Sequence, residues 1–401
     1  MLMDALLLQL GYNATLVAIG ATLLGISAGV TGTFLFLRKR ALVSDAISHA
    51  TLPGVCIAFI LMASFGGDGR NLIGLLLGSA ASASAGLWCL NWLTRNTRLA
   101  EDAAIGSVLS VFFGFGIVLL TVIQTLGVGR QAGLEGFLLG STAGMLWADA
   151  MVIAVGGAVT LLLILLIRRP MTLVAFDPEY AAARGLPVSK IDMAMMGLVM
   201  AVTVVGLKIV GLILIVALLI IPAVTARFWT ERSDYVVLLA GLAGGLSAYV
   251  GAAMSASAPN LPTGPIIVLM SFALFLLSLL FAPNRGVLAA VLRHLRFQRR
   301  VHLRQGLLAL AQGQPIYEKL TLRLLRRGGL VRADGVATSI GKARAAKALR
   351  DERRWAVVRS DHAHEAAAAL YDGLRQIESV LTQDQITEID RQIGGPKEVL
   401  A

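Results

Sequence analysis

The sequence predicts an all-α polytopic membrane protein of about nine transmembrane helices, followed by a C-terminal cytoplasmic domain of α+β structure. Two observations support this class. Of the 401 residues, 57% are hydrophobic and only 15% are charged, a composition that ordinary soluble domains do not have. The first 283 residues hold 14 of the 35 Lys and Arg residues, whereas the last 118 hold 21. The chain therefore divides near Pro283 into an apolar part and a basic, water-soluble tail.

The membrane part is predicted from apolar runs of about 20 residues, the length that crosses a bilayer as a helix. The nine predicted spans are 15–37, 42–65, 72–93, 103–126, 146–167, 192–207, 209–228, 235–254 and 265–282. The sixth and seventh are divided at Gly206-Leu207-Lys208, and eight spans, with 192–228 as one long helix, remain the alternative. The first run has no basic region before it, which predicts a retained span rather than a cleaved signal.

The basic residues between the spans predict the orientation. With nine spans, the connections on one side carry eleven Lys and Arg residues and those on the other carry three, which are Arg70, Arg130 and Lys208. Cytoplasmic connections carry the excess of basic residues. The N-terminus is therefore predicted outside and the C-terminal domain in the cytoplasm. Eight spans would spoil this separation, because the tail would then lie outside.

One aspartate and one histidine near the start of the second span are the first candidate site. His49, the single histidine of the membrane part, follows Asp45 by four residues, a spacing that places both on one helix face. A carboxylate and an imidazole together are half of a site for Mn²⁺, Fe²⁺ or Zn²⁺. A second copy of the chain across a two-fold axis would supply the other half. Pro53 and Gly54 predict a kink in the same helix.

The same residues have plainer interpretations. Asp45 and His49 could pair with each other or cap the helix near the membrane interface, an alternative of about equal weight. Cys56 lies seven residues beyond His49 on roughly the same face. It could be a third ligand, but a small apolar residue in packing is the favoured interpretation.

The segment FDPEYAAARGLPVSK, residues 176–190, predicts a short helix between two spans. Asp177 is its predicted N-cap, Pro178 lies in its first turn and Gly185 is its predicted C-cap. An isolated short helix between membrane spans is typical of a docking surface. A structured loop without a partner is the alternative.

Residues 15–282 resemble the permease subunit of the manganese, zinc and iron ABC importers. The resemblance rests on RKRALVSDAISHATLPGV, EDAAIGSVLSVFFGFG, FDPEYAAARGLPV and VGLILIVALLIIPAVTAR. It implies that residues 1–283 form a transmembrane permease domain and that Asp45 and His49 line the metal path. It also implies that the short helix docks on an ATPase. The coupling contacts would be Asp177, Glu179, Ala182 and Gly185. Ser44 departs from the family pattern, in which many relatives have glycine before the aspartate.

The resemblance implies three partners in a bacterial inner membrane: a cytoplasmic ATPase dimer, an external solute-binding protein and a second permease chain, identical or different. No permanently bound cofactor is expected, only the transported divalent metal, with manganese favoured over zinc or iron. The chain is not expected to be an enzyme. Its nearest approach to a phosphate loop, GVATSIGKA, ends in Ala343 where Ser or Thr should bind magnesium. An ion-coupled secondary metal transporter and a membrane-anchored metal-responsive regulator are the alternatives.

The tail is predicted as a basic linker, 284–304, and a domain, 305–401. A helix, a turn, a short strand pair and another helix follow one another in the domain, which is the order of a winged helix-turn-helix. The segments RGGLV, TSIGKARAAKALR and IGGPKEV resemble the diphtheria-toxin-repressor family of metal-dependent regulators. The 21 basic against 12 acidic residues of the whole tail, 284–401, suit nucleic acid or an anionic membrane surface.

The metal-sensing residues of that repressor family are only partly present. The family implies a histidine followed by a Glu-His pair. His364 stands at the first position, but Tyr371 and Asp372 stand at the pair. A degraded sensory site is therefore predicted, and DNA binding by the tail is not favoured. A regulatory or assembly role is predicted instead.

Overall fold

The computed structural model describes residues 11–66, 71–126, 147–258, 261–361 and 365–394, together with Leu7, Gln9 and Gly69. The side chains of 126, 208–210 and 212–214 are outside this description. The chain forms two compact units, Met1–Ala289 and Ala290–Ala401, called here the membrane unit and the tail unit. Each is described by itself.

The described part of the membrane unit is helical. Its helices are α1 (Tyr12–Leu37), α2 (Ala41–Ser64), α3 (Leu72–Asn96), α4 (Glu101–Leu126), α5 (Trp147–Phe176), α6 (Pro178–Ala183), α7 (Val188–Val210), α8 (Leu212–Trp229), α9 (Ser233–Ala256) and α10 (Thr263–Phe281). Helix α11 (Val287–Ala311) begins in this unit and continues into the tail unit.

The predicted number of spans was wrong. Eight described helices are long and apolar enough to cross a membrane, and the segment predicted as the seventh span is a shorter apolar helix, Ile215–Trp229, within α8. The chain breaks between α7 and α8 at Gly211, whose φ is 82°, and not at Gly206-Leu207-Lys208. A positive φ is strained for any residue with a Cβ atom, so the break falls where glycine adopts it. The side chains of Arg70, Arg130 and Lys208, which entered the orientation argument, lie outside the described residues.

Helices α1, α2 and α9 form the centre of the membrane unit, since a larger share of each is buried than of the other long apolar helices. The backbones of α1 and α9 nearly touch: a Cβ atom on Gly25 would overlap the carbonyl oxygen of Gly244, and one on Gly29 would overlap that of Ala240. Small residues allow such close approach between membrane helices. Helices α3, α4 and α10 are much less buried and expose apolar side chains suited to lipid.

The described part of the tail unit is also helical, and the predicted α+β winged-helix domain was wrong. After α11 come α12 (Lys319–Arg327), α13 (Ser339–Ser360), α14 (Glu365–Ala368), a 3-10 turn (Ile377–Ser379) and α15 (Gln383–Ile393). Where the strand pair was predicted, the chain makes only an isolated antiparallel bridge between Val331 and Ala337. The tight turn at Gly335, with φ 90°, leaves too few residues on either side for strands of ordinary length.

Two apolar clusters stabilise the tail unit. One surrounds Leu307, Leu325 and Leu330, and the other surrounds the fully buried Trp355. The indole N–H of Trp355 donates to the carbonyl oxygen of Arg375 at 3.0 Å, so the large ring is buried without an unsatisfied donor.

The two residues at the expected metal-binding pair have structural roles in the tail unit. The Tyr371 hydroxyl donates to Glu352 at 2.6 Å, and Asp372 accepts from the backbone N–H groups of Leu374 and Arg375. Those two backbone bonds lower the pKa of Asp372. Tyr371 and Asp372 are thus used in local structure. His364, the third residue of the predicted sensory site, lies outside the described residues.

Candidate functional site

Asp45 and His49 lie one turn apart on α2, as their spacing predicted. The imidazole Nε2 of His49 is 3.4 Å from Oδ1 of Asp45. The aspartate side chain is 38% exposed and the histidine side chain 17%, so the carboxylate is the more accessible of the two. The contact brings a carboxylate oxygen and an imidazole nitrogen to one place. By itself it also fits the plainer interpretation of a side-chain pair.

A side-chain pair with Asp45 does not account for the second ring nitrogen of His49. Its Nδ1 atom is buried and has no hydrogen-bond partner among the described residues. The ring packs edge-on against Phe113, with centroids 4.7 Å apart and an interplanar angle of 81°, so the orientation of the imidazole is fixed by an apolar neighbour. Leaving a buried polar atom unpaired costs about 1–3 kcal/mol. An atom left in this state suggests a role beyond packing.

Pro53 adds a third polar group at the same level of the helix. Helix α2 continues through Pro53 without ending, but proline has no N–H to donate to the residue four positions earlier. That residue is His49, whose backbone carbonyl therefore lacks its helical partner. Gly54 allows close packing, since a Cβ atom there would overlap the carbonyl oxygen of Gly78 in α3.

Cys56 is not placed as a ligand. Its side chain is fully buried and its thiol donates to the carbonyl oxygen of Gly116 at 3.7 Å, in agreement with the packing interpretation. Across the part of the chain that the structure describes, no three His, Cys, Asp or Glu side chains are grouped as a metal site. Among the described residues, one chain thus offers the two side chains Asp45 and His49 without a third.

The predicted short helix is confirmed as α6. Asp177 is its N-cap and accepts from the backbone N–H of Tyr180 at 2.9 Å, with Pro178 in the first turn. At the other end Gly185 adopts φ 80° and donates its N–H to Ala182 at 2.9 Å. All four residues assigned to coupling, Asp177, Glu179, Ala182 and Gly185, are exposed.

A group of charged residues joins the chain between α1 and α2 to the starts of α4 and α7. Arg38 makes two hydrogen bonds to the carboxylate of Asp192, at 2.9 and 3.0 Å. Arg40 donates to the same carboxylate at 2.8 Å and pairs with Glu101 at 2.7 Å. We call Arg38, Arg40, Glu101 and Asp192 the ionic cluster. The side chains of Arg38 and Asp192 are only 15% and 16% exposed, so water screens this pair less than a surface pair.

The ionic cluster connects the two candidate sites. Arg38 also donates to the carbonyl oxygen of Val174 at 3.1 Å, three residues before the N-cap of α6. Arg40 precedes Asp45 by five residues, and Asp192 lies in α7, which follows α6. Two arginines and one carboxylate thus link the chain before α6, the chain before α2 and the first turns of α7. The partners are more than 150 residues apart in sequence, and the only signal in the sequence is a lone carboxylate near the start of a span.

Membrane-crossing helices, an Asp/His pair inside one of them and an exposed capped helix between two others are the features of the permease class of transport protein. The model of a family described as "ABC 3 transport family" matches residues 12–282, nearly the whole membrane unit. The chain belongs to this family and is the membrane-spanning permease subunit of an ABC transporter.

Individual relatives agree with this assignment. The manganese transport system membrane protein MntC of Bacillus subtilis (strain 168) is 42% identical over 320 residues, which are 80% of this chain and 72% of that protein. The zinc transport system membrane protein TroC of Treponema pallidum (strain Nichols) is 39% identical over 294 residues, 73% of this chain and 96% of that protein. The alignment with MntC is longer than the membrane unit, so part of the tail unit is aligned as well.

A solved structure described as PsaBC from Streptococcus pneumoniae in complex with Fab is similar in fold as well as in sequence. The TM-score is 0.61 and the identity 31%, and the match covers 71% of this chain and 96% of that chain. The near-complete coverage of the solved chain shows that this chain contains the fold of that solved chain.

Proposed function

We propose that this permease imports a divalent transition metal ion, with manganese favoured and zinc or iron as the other candidates, and that Asp45 and His49 contact the ion on its way. The carrying observation is the imidazole of His49, whose Nε2 lies 3.4 Å from the accessible carboxylate of Asp45 and whose buried Nδ1 has no hydrogen-bond partner among the described residues. An imidazole nitrogen and a carboxylate oxygen are ligands that all three metals accept. Relatives whose names state manganese and zinc transport support the same cargo.

The site requires a second permease chain. Two ligand side chains are too few for a metal of this class, and a two-fold axis would bring a second Asp and His to the same ion. The backbone carbonyl of His49, freed by Pro53, is a further oxygen ligand in reach of the path. Weak, incomplete coordination from each chain suits a cargo ion, which must leave the site as readily as it enters.

The remaining partners follow from the same proposal. A cytoplasmic ATPase dimer hydrolyses ATP, and α6 docks on it through the exposed residues Asp177, Glu179, Ala182 and Gly185. A solute-binding protein delivers the metal from outside. The ionic cluster transmits the movement of α6 to the start of α2, so that ATP binding changes access to Asp45 and His49.

The end of the membrane unit that carries α6 faces the cytoplasm. Arg38, Arg95 and Arg168 lie at this end, because they contact Asp192, Ser189 and Asp234, near the starts of α7 and α9. Helix α7 leads away from this end, and the shorter apolar helix α8 leads back to it, since α9 begins there again. Helix α8 is therefore counted here as a crossing in addition to the eight long helices. Basic residues mark the cytoplasmic face of a membrane protein, so the N-terminus lies outside and the tail unit in the cytoplasm.

The experiment is metal uptake into proteoliposomes that contain the permease with its ATPase and binding protein. Asp45→Asn and His49→Gln keep the size of the side chains, and each should lower uptake of radioactive manganese at least about tenfold while leaving membrane insertion intact. Ser64→Ala, a substitution at the exposed end of the same helix, is the control and should transport normally. Normal uptake by the Asp45 and His49 variants would refute the proposed path. Uptake that continues without ATP and stops with a protonophore would favour the ion-coupled alternative.

A further inference from the structure

The first half of α11, residues 287–300, has an apolar face that nothing in the described chain covers. Val287, Leu288, Val291, Leu292 and Leu295 are each between 44% and 48% exposed. Every residue from 291 to 300 is exposed. The second half of the same helix differs, because Gly306 and Leu307 are buried in the tail unit. We call residues 287–300 the exposed segment.

The five apolar side chains form one stripe. At about 100° per residue, they fall within an arc of roughly 140°. Arg293, Arg296 and Arg300 lie on the opposite side of the helix, and Phe297 also lies outside the arc. Arg299 continues the stripe one turn beyond Leu295 and ends it. A helix with a narrow apolar face, basic residues on the other face and an exposed surface is the pattern of a helix that lies in a membrane interface.

The charge of this part of the chain has one sign. The sequence contains no Asp or Glu between Asp234 and Glu318, so the exposed segment carries four arginines and no acidic residue. Two copies of such a helix would repel each other along their basic faces. An anionic lipid surface has the complementary charge and also accepts the apolar stripe.

The start of α11 is held close to the membrane. Only residues 282–286 separate α10 from α11, and a chain of this length spans at most roughly 20 Å. The connection is tightened by a hydrogen bond from Gly286 N–H to Ala282 at 2.9 Å, and Arg285 pairs with Glu231 at 2.7 Å. The exposed segment therefore begins within reach of the leaflet at which α10 ends.

We propose that the exposed segment is an interfacial helix that inserts its apolar stripe into this leaflet and binds anionic phospholipid headgroups through its arginines. The interaction requires neither cargo metal nor ATPase. Because α11 continues into the apolar core of the tail unit, where Arg304 pairs with Glu352 at 2.8 Å, binding of anionic lipid fixes the helix on which the tail unit is built.

Depth-dependent fluorescence quenching tests the proposal on the full chain. Leu295→Cys and Ala290→Cys, five residues apart and about 140° around the helix, are each labelled with a fluorophore in a chain whose Cys56 and Cys89 are replaced by alanine. The labelled proteins are placed in bilayers of phosphatidylcholine alone or mixed with phosphatidylglycerol, with nitroxide-labelled lipid as the quencher. We expect strong quenching at position 295 and weak quenching at 290, with the difference larger in the anionic bilayer and reduced by salt. The triple variant Arg293→Gln, Arg296→Gln, Arg300→Gln should lose most of this gain.

Three results would overturn the proposal. Equal quenching at positions 290 and 295 would mean that the stripe does not insert. Quenching at 295 that is the same in neutral and anionic bilayers would exclude recognition of anionic headgroups. Protection of position 295 from the lipid quencher, either with label-to-label contact between two chains or only after the ATPase is added, would assign the stripe to a protein partner instead.

Discussion

In the membrane unit two central helices pack backbone against backbone, whereas in the tail unit charged side chains join the helices. Gly25 and Gly244 bring α1 and α9 together so closely that neither position has room for a methyl group. In the tail unit Arg354 holds Asp390 with two hydrogen bonds, at 2.6 and 2.7 Å, and Tyr371 and Arg304 both bind Glu352. The helices of the two units therefore pack through different kinds of contact.

The difference has a physical cause. Lipid is as apolar as the helices themselves, so hydrophobic burial contributes little to their association and close packing contributes more. In water, burial of side chains such as Trp355 stabilises the tail unit, and the surrounding ion pairs fix which helix faces meet. The ionic cluster, like the pairs Arg168–Asp234 and Arg285–Glu231, lies near helix ends in the membrane unit. The position of the cluster there suggests a role in movement rather than in packing.

The largest effect is expected from a large side chain at the contact of α1 and α9. Gly29→Leu would push the helix backbones apart, because a Cβ atom alone already overlaps Ala240. We expect a loss of stability of more than about 3 kcal/mol, visible as aggregation in detergent and a much lower midpoint of thermal unfolding. Gly114→Leu in α4 is the control, since a Cβ atom there meets nothing within 4 Å. Similar behaviour of the two variants would contradict the account of backbone packing.

A selective effect on transport is expected at the centre of the ionic cluster. Asp192→Asn removes the charge shared by Arg38 and Arg40. It should lower uptake between about 5- and 150-fold, the range of affinity changes that coupling between two sites produces. ATP hydrolysis by the assembled complex should continue, because α6 itself is unchanged. Asp192→Glu should restore part of the uptake. The control is Asp234→Asn, which breaks an exposed pair with Arg168. Parallel loss of hydrolysis and uptake in Asp192→Asn would argue against transmission.

The docking helix is tested by a large charge at its C-terminal end. Gly185→Arg introduces both a side chain at a positive φ and a cation on the exposed surface of α6. We expect weaker co-purification of the ATPase and failure of uptake, with the permease still present in the membrane. Gly313→Arg in the tail unit, also at a positive-φ glycine with no neighbour within 4 Å, separates strain from docking. Unchanged co-purification and uptake in Gly185→Arg would exclude the docking role.

The smallest effect concerns a buried carboxylate in the tail unit. Burial and the nearby charge of Glu378 raise the pKa of Asp351, and Arg354 offsets only part of this. One carboxylate oxygen, Oδ1, also has no hydrogen-bond partner among the described residues. The ionised form is therefore disfavoured in the folded state, and the stability of the tail unit falls as pH rises through the pKa of Asp351.

Asp351→Asn should thus stabilise the tail unit at neutral pH by about 0.5–1 kcal/mol. The gain should disappear below the pKa of an unfolded aspartate, where the native side chain is neutral as well. Hydrogen exchange of α13 and α15 in the full chain measures it. A gain that is constant with pH, or a loss of stability at neutral pH, would contradict the assigned cause.

The local features of the fold could be predicted from the sequence, but the contacts between distant segments could not. Asp177 and Pro178 predict the start of α6, and Gly185 predicts its end. The helix face shared by Asp45 and His49 follows from their spacing. The division of α7 from α8 was misplaced because two glycines compete nearby. Gly206 leaves room for Ile215, whereas Gly211 supplies the positive φ that breaks the helix.

The tail unit shows a second kind of limit. The residues around Val331 and Ala337 have the order expected of two strands. They are too few to form strands of ordinary length, so a single bridge forms. The buried Nδ1 atom of His49 was also beyond sequence reasoning, since its lack of a partner depends on Phe113 in α4. The spacing in the sequence predicted the Asp/His pair. The packing around His49 is the observation that favours a ligand role over a side-chain pair.

On the proposed path, metal ions contact the imidazole of His49 during transport. Electron spin-echo measurements on Mn²⁺ trapped in the complex of permease and ATPase test it directly, because a coordinated imidazole nitrogen modulates the echo of the metal. We expect nitrogen modulation of the echo in the native complex and loss of that modulation in His49→Gln, with the tail histidines unchanged in both. Equal nitrogen modulation in the native complex and the His49→Gln complex would contradict it.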